Sequence, residues 1–215
     1  MKKIILFAFC TIILLAGCTK KGIVDNSEQV GISRITYYAI LTFKGSDYMA
    51  VPKGSTYTEP GCTAKSGTAD LPVVITGTVN TSVAGVYALT YTATNKDGFK
   101  ASVQRFVAVY STDASATAND LSGSYLRPAK GFISTWSKIA PGVYKVVDPG
   151  GANSNLTVIA FNSTGLSIKI PSQVSSDGTI TSSTAETYNN LAPAQYSWII
   201  QNPTYGTSSR SFVKQ

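Results

Sequence analysis

The 215-residue sequence contains no histidine. That removes Ser-His-Asp and Cys-His machinery, histidine-ligated zinc and the usual general base at neutral pH. Cysteine is scarce, at positions 10, 18 and 62 only, and charged residues make up 13% of the chain. The basic residues are scattered, with no run beyond Lys20-Lys21, so the footprint of a nucleic-acid binder is missing. Long helix formers are few, and no window after the N-terminal run repeats apolar residues at i, i+3, i+4, i+7. The chain is therefore expected to be predominantly β. Glycoside hydrolysis needs only two carboxylates and is not excluded by the lack of histidine. Yet the eleven acidic residues fall mostly in turns or near the N-terminus, and none is paired in an apolar surround that would raise one pKa. No enzyme, cofactor or metal site is expected. Asp148-Pro149-Gly150-Gly151 with Asn153 offers oxygen ligands, but without Asp-x-Asp-x-Asp spacing it reads as a glycine-rich turn rather than a Ca²⁺ loop.

What is present begins with Met1-Lys2-Lys3, followed by an apolar, uncharged run from Ile4 to Ala16. That run has signal-peptide length and falls short of the ~20 residues a spanning helix needs. Its end, Leu15-Ala16-Gly17-Cys18, resembles the lipobox of bacterial lipoproteins. The alternative is an ordinary secretory signal with a chance cysteine. The resemblance implies cleavage before Cys18, acylation of its thiol and amine, and a lipid anchor in which each buried CH₂ contributes ~0.8 kcal/mol. Loss of residues 1–17 would leave 198 residues and lower the formal charge from +7 to +5. Cys10 would leave with the signal, so Cys62 would be the one unlipidated thiol and no internal disulfide could form. A small, inert, buried residue is the expected role of Cys62.

Residues 18–31 are polar and read as a tether. Residues 32–110 carry alternating runs: Ile35 to Phe43, then short strands near Tyr48–Val51, Thr56–Tyr57, Cys62–Lys65 and Val73–Thr78. A hairpin follows, Val86–Thr94 and Lys100–Val109 around the turn Asn95-Lys96-Asp97-Gly98. Gly85-Val86-Tyr87-Ala88-Leu89 has the layout of a tyrosine corner, with Leu89 directed into a sandwich core. These features predict an immunoglobulin-like sandwich. The stretches Gly54–Ala64, Gly77–Thr81, Gly85–Asn95 and Arg105–Val109 resemble the bacterial Ig-like domain first described in pesticidal crystal proteins, which implies a spacer role.

Residues 111–119 are small and polar and read as a linker or the edge of the next domain. Residues 120–215 contain strand candidates at 123–127, 132–139, 143–147, 156–162, 166–170, 179–184, 196–202 and 209–214, separated by short turns. They predict an antiparallel meander closing into a small barrel or sandwich. The fold class is thus all-β, an N-terminal Ig-like sandwich followed by an antiparallel barrel or sandwich. Asp120–Arg127, Lys138–Tyr144 and Arg210–Lys214 resemble the C-terminal domain of Bacteroidota-type lipoproteins associated with SusC/SusD-like outer-membrane nutrient importers. That resemblance implies a lipid-anchored outer-membrane protein, at the cell surface or on the periplasmic face, with an importer as partner. Its ligand would be a glycan or a peptide. Trp136, Trp198 and Tyr205 are the candidate ligand-binding aromatics, because a rigid ring offers an apolar face at low entropic cost. Against this, Trp136 and especially Trp198 lie on strands where burial in a core is the competing role. Cys18 is followed by Thr19-Lys20-Lys21 rather than the acidic residues typical of surface-exported lipoproteins of this group, the nearest acids being Asp25 and Glu28.

Overall fold

Alternating apolar residues need a sheet on which to alternate, and the strands supply two bodies of sheet. The structure, a computed structural model, describes residues 29–30 and 33–215. Cys18 and most of the expected tether lie outside the described residues. Strands β1 (Gln29–Val30) and β2 (Ser33–Arg34) pair antiparallel within an N-terminal unit ending at Tyr37.

From Tyr38 to Gln215 the chain forms one compact unit. Its first half is a sandwich. One sheet has the order β3 (Ile40–Phe43), β5 (Cys62–Ser66), β6 (Ala69–Leu71). The other runs β4 (Tyr48–Pro52), β9 (Lys100–Tyr110), β8 (Gly85–Thr94), β7 (Val74–Thr76), with β4 parallel to β9. Val51, Leu89, Tyr91, Val107 and Val109 fill the space between them. The tyrosine corner forms as expected: the Tyr87 hydroxyl donates to the Val83 carbonyl at 2.8 Å, and Leu89 is buried. The β8–β9 turn is held by Asn95, whose Oδ1 accepts from Asp97 N and Phe99 N, and Gly98 takes φ +86°, a value L side chains resist. The long strand expected from Ile35 begins only at Ile40, and Thr56–Tyr57 forms no strand, because neither segment meets a partner ladder.

Arg105 sits on the inward face of β9 with no exposed surface. A buried guanidinium persists only when its donors are spent. Its Nε donates to Ser46 O (3.0 Å), its other nitrogens donate to Lys44 O (2.7 Å), Gly61 O (3.3 Å) and Tyr91 Oη (2.9 Å), and it pairs with Glu59. Glu59 also accepts from Gly61 N and Tyr57 Oη. One side chain thereby ties the Lys44–Ser46 and Glu59–Gly61 loops to the hairpin.

The second half is a nearly closed antiparallel barrel. Its strands are β10 (Gly123–Arg127), β11 (Phe132–Ala140), β12 (Val143–Val147), β13 (Thr157–Phe161), β14 (Gln173–Val174), β15 (Ile180–Asn189), β16 (Gln195–Gln201) and β17 (Arg210–Lys214). The sheet order is β13-β12-β11-β10-β17-β16-β15-β14. The ends meet through a side chain: Gln173 Oε1 accepts from Ile159 N at 2.8 Å, and Gln173 Nε2 donates to Ile159 O at 2.7 Å. The amide thus imitates the strand pairing that would close the ring and satisfies an otherwise orphaned edge. The strand expected at 166–170 is reduced to a single bridge, Lys169 to Phe161. The strand expected at 179–184 continues to Asn189.

The two halves share a core. Tyr48, Phe106 and Ala108 on the outer face of the sandwich pack with Val143 and Ile159 on the outer face of the barrel. Consequently the second half of β9, and nearly all of β13, are buried on both faces. The segment 111–119, expected to be a linker or the edge of the next domain, takes the second role and contains a short helix, α1 (Ala114–Thr117), with Ala116 fully buried. It is docked on the barrel by Asp113 N to Ser163 O (2.9 Å), Gly165 N to Ser115 Oγ (3.0 Å) and Thr112 Oγ1 to Pro141 O (2.8 Å). Small polar residues fit there because the chain runs close against another surface.

Candidate functional site

A barrel that carries cargo needs an empty interior, and this interior is full. Leu121, Tyr125, Trp136, Tyr144, Tyr196, Trp198, Ile200 and Phe212 occupy it with several smaller residues. Trp136 and Trp198 stack with centroids 5.5 Å apart, and Tyr196 stacks on Phe212 at 4.6 Å. Their polar atoms are spent internally: Trp136 Nε1 donates to Tyr196 Oη at 3.1 Å, and Trp198 Nε1 donates to Pro149 O at 2.8 Å. With 2% and 0% of their surface exposed, both tryptophans are core residues, not ligand platforms. The expectation of a binding role for Trp136 and Trp198 is corrected on that ground. Any ligand must be met on the outside.

Of the three candidate aromatics, Tyr205 alone lines a concavity, and it is half-buried. Its position follows from the loop it seals. Asp148 adopts φ +52° and its carboxylate accepts from Ala152 N, Asn153 N and Ser154 Oγ. Those contacts curl residues 148–154 over one end of the barrel. Arg127 and Arg210 then donate to the outward carbonyls of Gly150 and Gly151. Tyr205 lies under the Arg210 guanidinium at 4.6 Å and exchanges a hydrogen bond with Ser154 Oγ at 2.9 Å. A Cβ at Gly150 would come within 2.3 Å of the Tyr205 ring, so only glycine allows this approach. The carboxylate of Asp148 is thus fully used by its own loop, as a glycine-rich turn rather than a cation site.

The groove beside Tyr205, about 480 Å³, is lined by Ser154, Asn155, Ser176, Asp177 and Thr204. Across the Ser176–Asp177 turn a second groove of about 490 Å³ is lined by Asp47, Thr90, Ser102 and Gln104 of the sandwich. Burial raises the Asp177 pKa, but hydrogen bonds from Thr179 N, Thr179 Oγ1 and Ser175 Oγ outweigh it, and the carboxyl titrates below its ordinary 3.8. Tyr48, at the floor, is pushed up to about 12 by burial and carries Lys145 Nζ over its ring at 4.3 Å. These walls offer hydroxyls, amides and carboxylates, with no nucleophile beside a base. Among the described residues no group of three or more Cys, Asp or Glu could hold a metal. Cys62, expected to be buried, is only half-buried, and burial raises its thiol pKa.

A third groove, about 490 Å³, lies at the opposite, α1-bearing end of the barrel. Its aromatic residue is Tyr188, which the sequence reading passed over because the strand was expected to stop at Thr184. The signal available was Tyr188-Asn189-Asn190, an aromatic followed by two amides before a turn.

Comparison with known proteins agrees with the architecture of the first half. Residues 41–109 match the family model described as "Bacterial surface protein, Ig-like domain". No curated protein matches. Among solved structures, the lipoprotein BT2262 from Bacteroides thetaiotaomicron is similar to this chain over 83% of its length and 100% of that chain, at 22% identity and a TM-score of 0.42. The first half of this all-β protein is accordingly an Ig-like domain of the kind found in bacterial surface proteins.

Proposed function

We propose that this protein is a non-enzymatic lipoprotein, anchored in the outer membrane through Cys18, that serves a Sus-type importer as an accessory and captures glycan or peptide at the cell surface. The carrying observation is the shared core of sandwich and barrel. It makes everything from Tyr38 onward a single body, suited to display from a lipid anchor on a tether. The bacterial-surface character of the Ig-like domain supports the same reading. So does the filled barrel, which leaves capture to external grooves lined by hydroxyls and amides. The burial of Trp136 and Trp198 favours a second reading, a structural lipoprotein that packs against an importer without touching nutrient.

The test is affinity isolation of the lipidated full-length protein from native membranes, followed by identification of co-purifying proteins. Recovery of a TonB-dependent porin or a SusD-like lipoprotein is expected. Isolation without either would sink both importer readings. Replacement of Cys18 by Ala should move the protein from the membrane to the soluble fraction and abolish incorporation of labelled palmitate.

A further inference from the structure

The barrel holds one aromatic side chain at a surface groove with its bonding capacity unspent. On the first part of β15, Thr181 and Ser183 are buried, so odd-numbered residues face inward. Between Thr184 and Thr187 the ladder slips: Thr184 pairs with Ile199, yet Thr187 pairs with Ser197. Three steps along β15 therefore match two along β16, and one extra residue reverses the alternation of every side chain beyond it. Ala185 takes up the extra residue at φ +53°, a left-handed conformation that side chains with a Cβ rarely adopt. Beyond the bulge Tyr188, an even-numbered residue, packs against the barrel interior and lines the groove at the α1-bearing end. Without the bulge it would stand on the outer face.

The other barrel tyrosines are committed. Tyr125 donates to Leu121 O, Tyr144 to Asn119 O, Tyr196 accepts from Trp136, and Tyr205 bonds Ser154. Among the described residues the Tyr188 hydroxyl has no hydrogen-bond partner, and its ring packs on the barrel core across the ladder from Tyr196. Burial raises its pKa, so the hydroxyl remains both donor and acceptor at neutral pH. Around it stand Asn190 and Gln215, whose amides also serve both senses, and Asp120 and Lys214, with the Lys138 ammonium donating to the Asn119 carbonyl at 2.8 Å.

We infer that this groove binds a neutral saccharide, with a sugar ring on Tyr188 and its hydroxyls shared among the Tyr188 hydroxyl, Asn190, Gln215 and Asp120. An aromatic face meets the C–H face of a sugar ring, and amides and a carboxylate meet adjacent hydroxyls. The inference rests on the capture reading above and assigns it a site and a ligand class.

The test uses full-length protein in detergent micelles, titrated calorimetrically with maltohexaose, xylohexaose, mannohexaose and an uncharged capped hexapeptide. At least one hexasaccharide should bind with Kd at or below about 1 mM. Tyr188→Phe and Asn190→Ala, each removing one hydrogen-bonding group, should weaken it about fivefold, and Tyr188→Ala tenfold or more. The Phe and Asn190 variants keep the ring or lie at the rim, and their unchanged melting temperatures would separate binding from folding. Saccharide binding that is unaffected by all three substitutions would overturn this site while leaving capture elsewhere intact. Binding of the peptide alone would overturn the ligand class. Failure of every probe to bind the wild type would overturn both this inference and the capture reading.

Discussion

Leu89→Ala tests whether sandwich and barrel unfold as one. Leu89 is 4% exposed in the centre of the sandwich and belongs to the core that excludes the barrel. Truncation there should cost about 3 kcal/mol, through lost transfer energy and the cavity left behind. In a cooperative unit of this size each kcal/mol lowers Tm by about 2–4 °C, so a fall of about 6–12 °C is expected. The reporter is built in: both tryptophans, Trp136 and Trp198, lie in the barrel and the sandwich has none. Tryptophan fluorescence therefore reads the barrel alone, whereas far-UV circular dichroism reads both halves. If the shared core of Tyr48, Phe106, Ala108, Val143 and Ile159 couples them, the two signals move together in Leu89→Ala. Phe106→Ala, at the shared core itself, should lower both by a similar amount. Leu191→Ala, at a residue 73% exposed, should leave Tm within a degree or two. A tryptophan transition that stays in place while circular dichroism reveals a separate, earlier one would refute the coupling.

Three further outcomes are expected. Arg105→Ala should destabilise by about 3–5 kcal/mol in urea titrations, because three loop carbonyls and the Glu59 carboxylate lose their donor, and Arg105→Lys should restore only part of it. Gln173→Leu should cost about 2–4 kcal/mol by leaving Ile159 N and O unpaired, with the fastest gain in amide exchange at Ile159. Asp177 has a folded pKa below its unfolded 3.8, so its contribution is present above that value and is lost as pH falls through the folded pKa. Asp177→Asn should accordingly flatten the pH dependence of Tm below about pH 4, and an unchanged acid limb would contradict the assignment.

The parts legible in the sequence were those whose partners are close in the chain. The Tyr87 corner reaches back four residues to Val83, and the Asn95–Gly98 turn bonds within itself, so residue type at fixed spacing was sufficient. Strand alternation was legible for the same reason on β8 and β9. It could not say how many cores a strand serves. Phe106 and Ala108 alternate with Arg105, Val107 and Val109 along β9, and only the barrel's arrival explains an apolar pair on that second face. The same limit explains Trp136 and Trp198. A tryptophan on an alternating strand is consistent with a platform and, more so for Trp198, with a core, and only closure of the sheet around it decides.

The amino-acid sequence thus determined the all-β class, the hairpin and corner of the Ig-like half, the strand-and-turn rhythm of the second half and the Leu15–Cys18 motif, because each depends on local stereochemistry or a short pattern. Tertiary structure alone decided the docking of residues 111–119, the closure of the barrel by the Gln173 amide and the fusion of two halves into one body. It also decided the bulge at Ala185 that turns Tyr188 toward a groove. Each of these depends on a partner fourteen or more residues away or on a ladder register. A period-two pattern reads the same before and after a one-residue slip, so only the paired strand reveals which face a side chain takes.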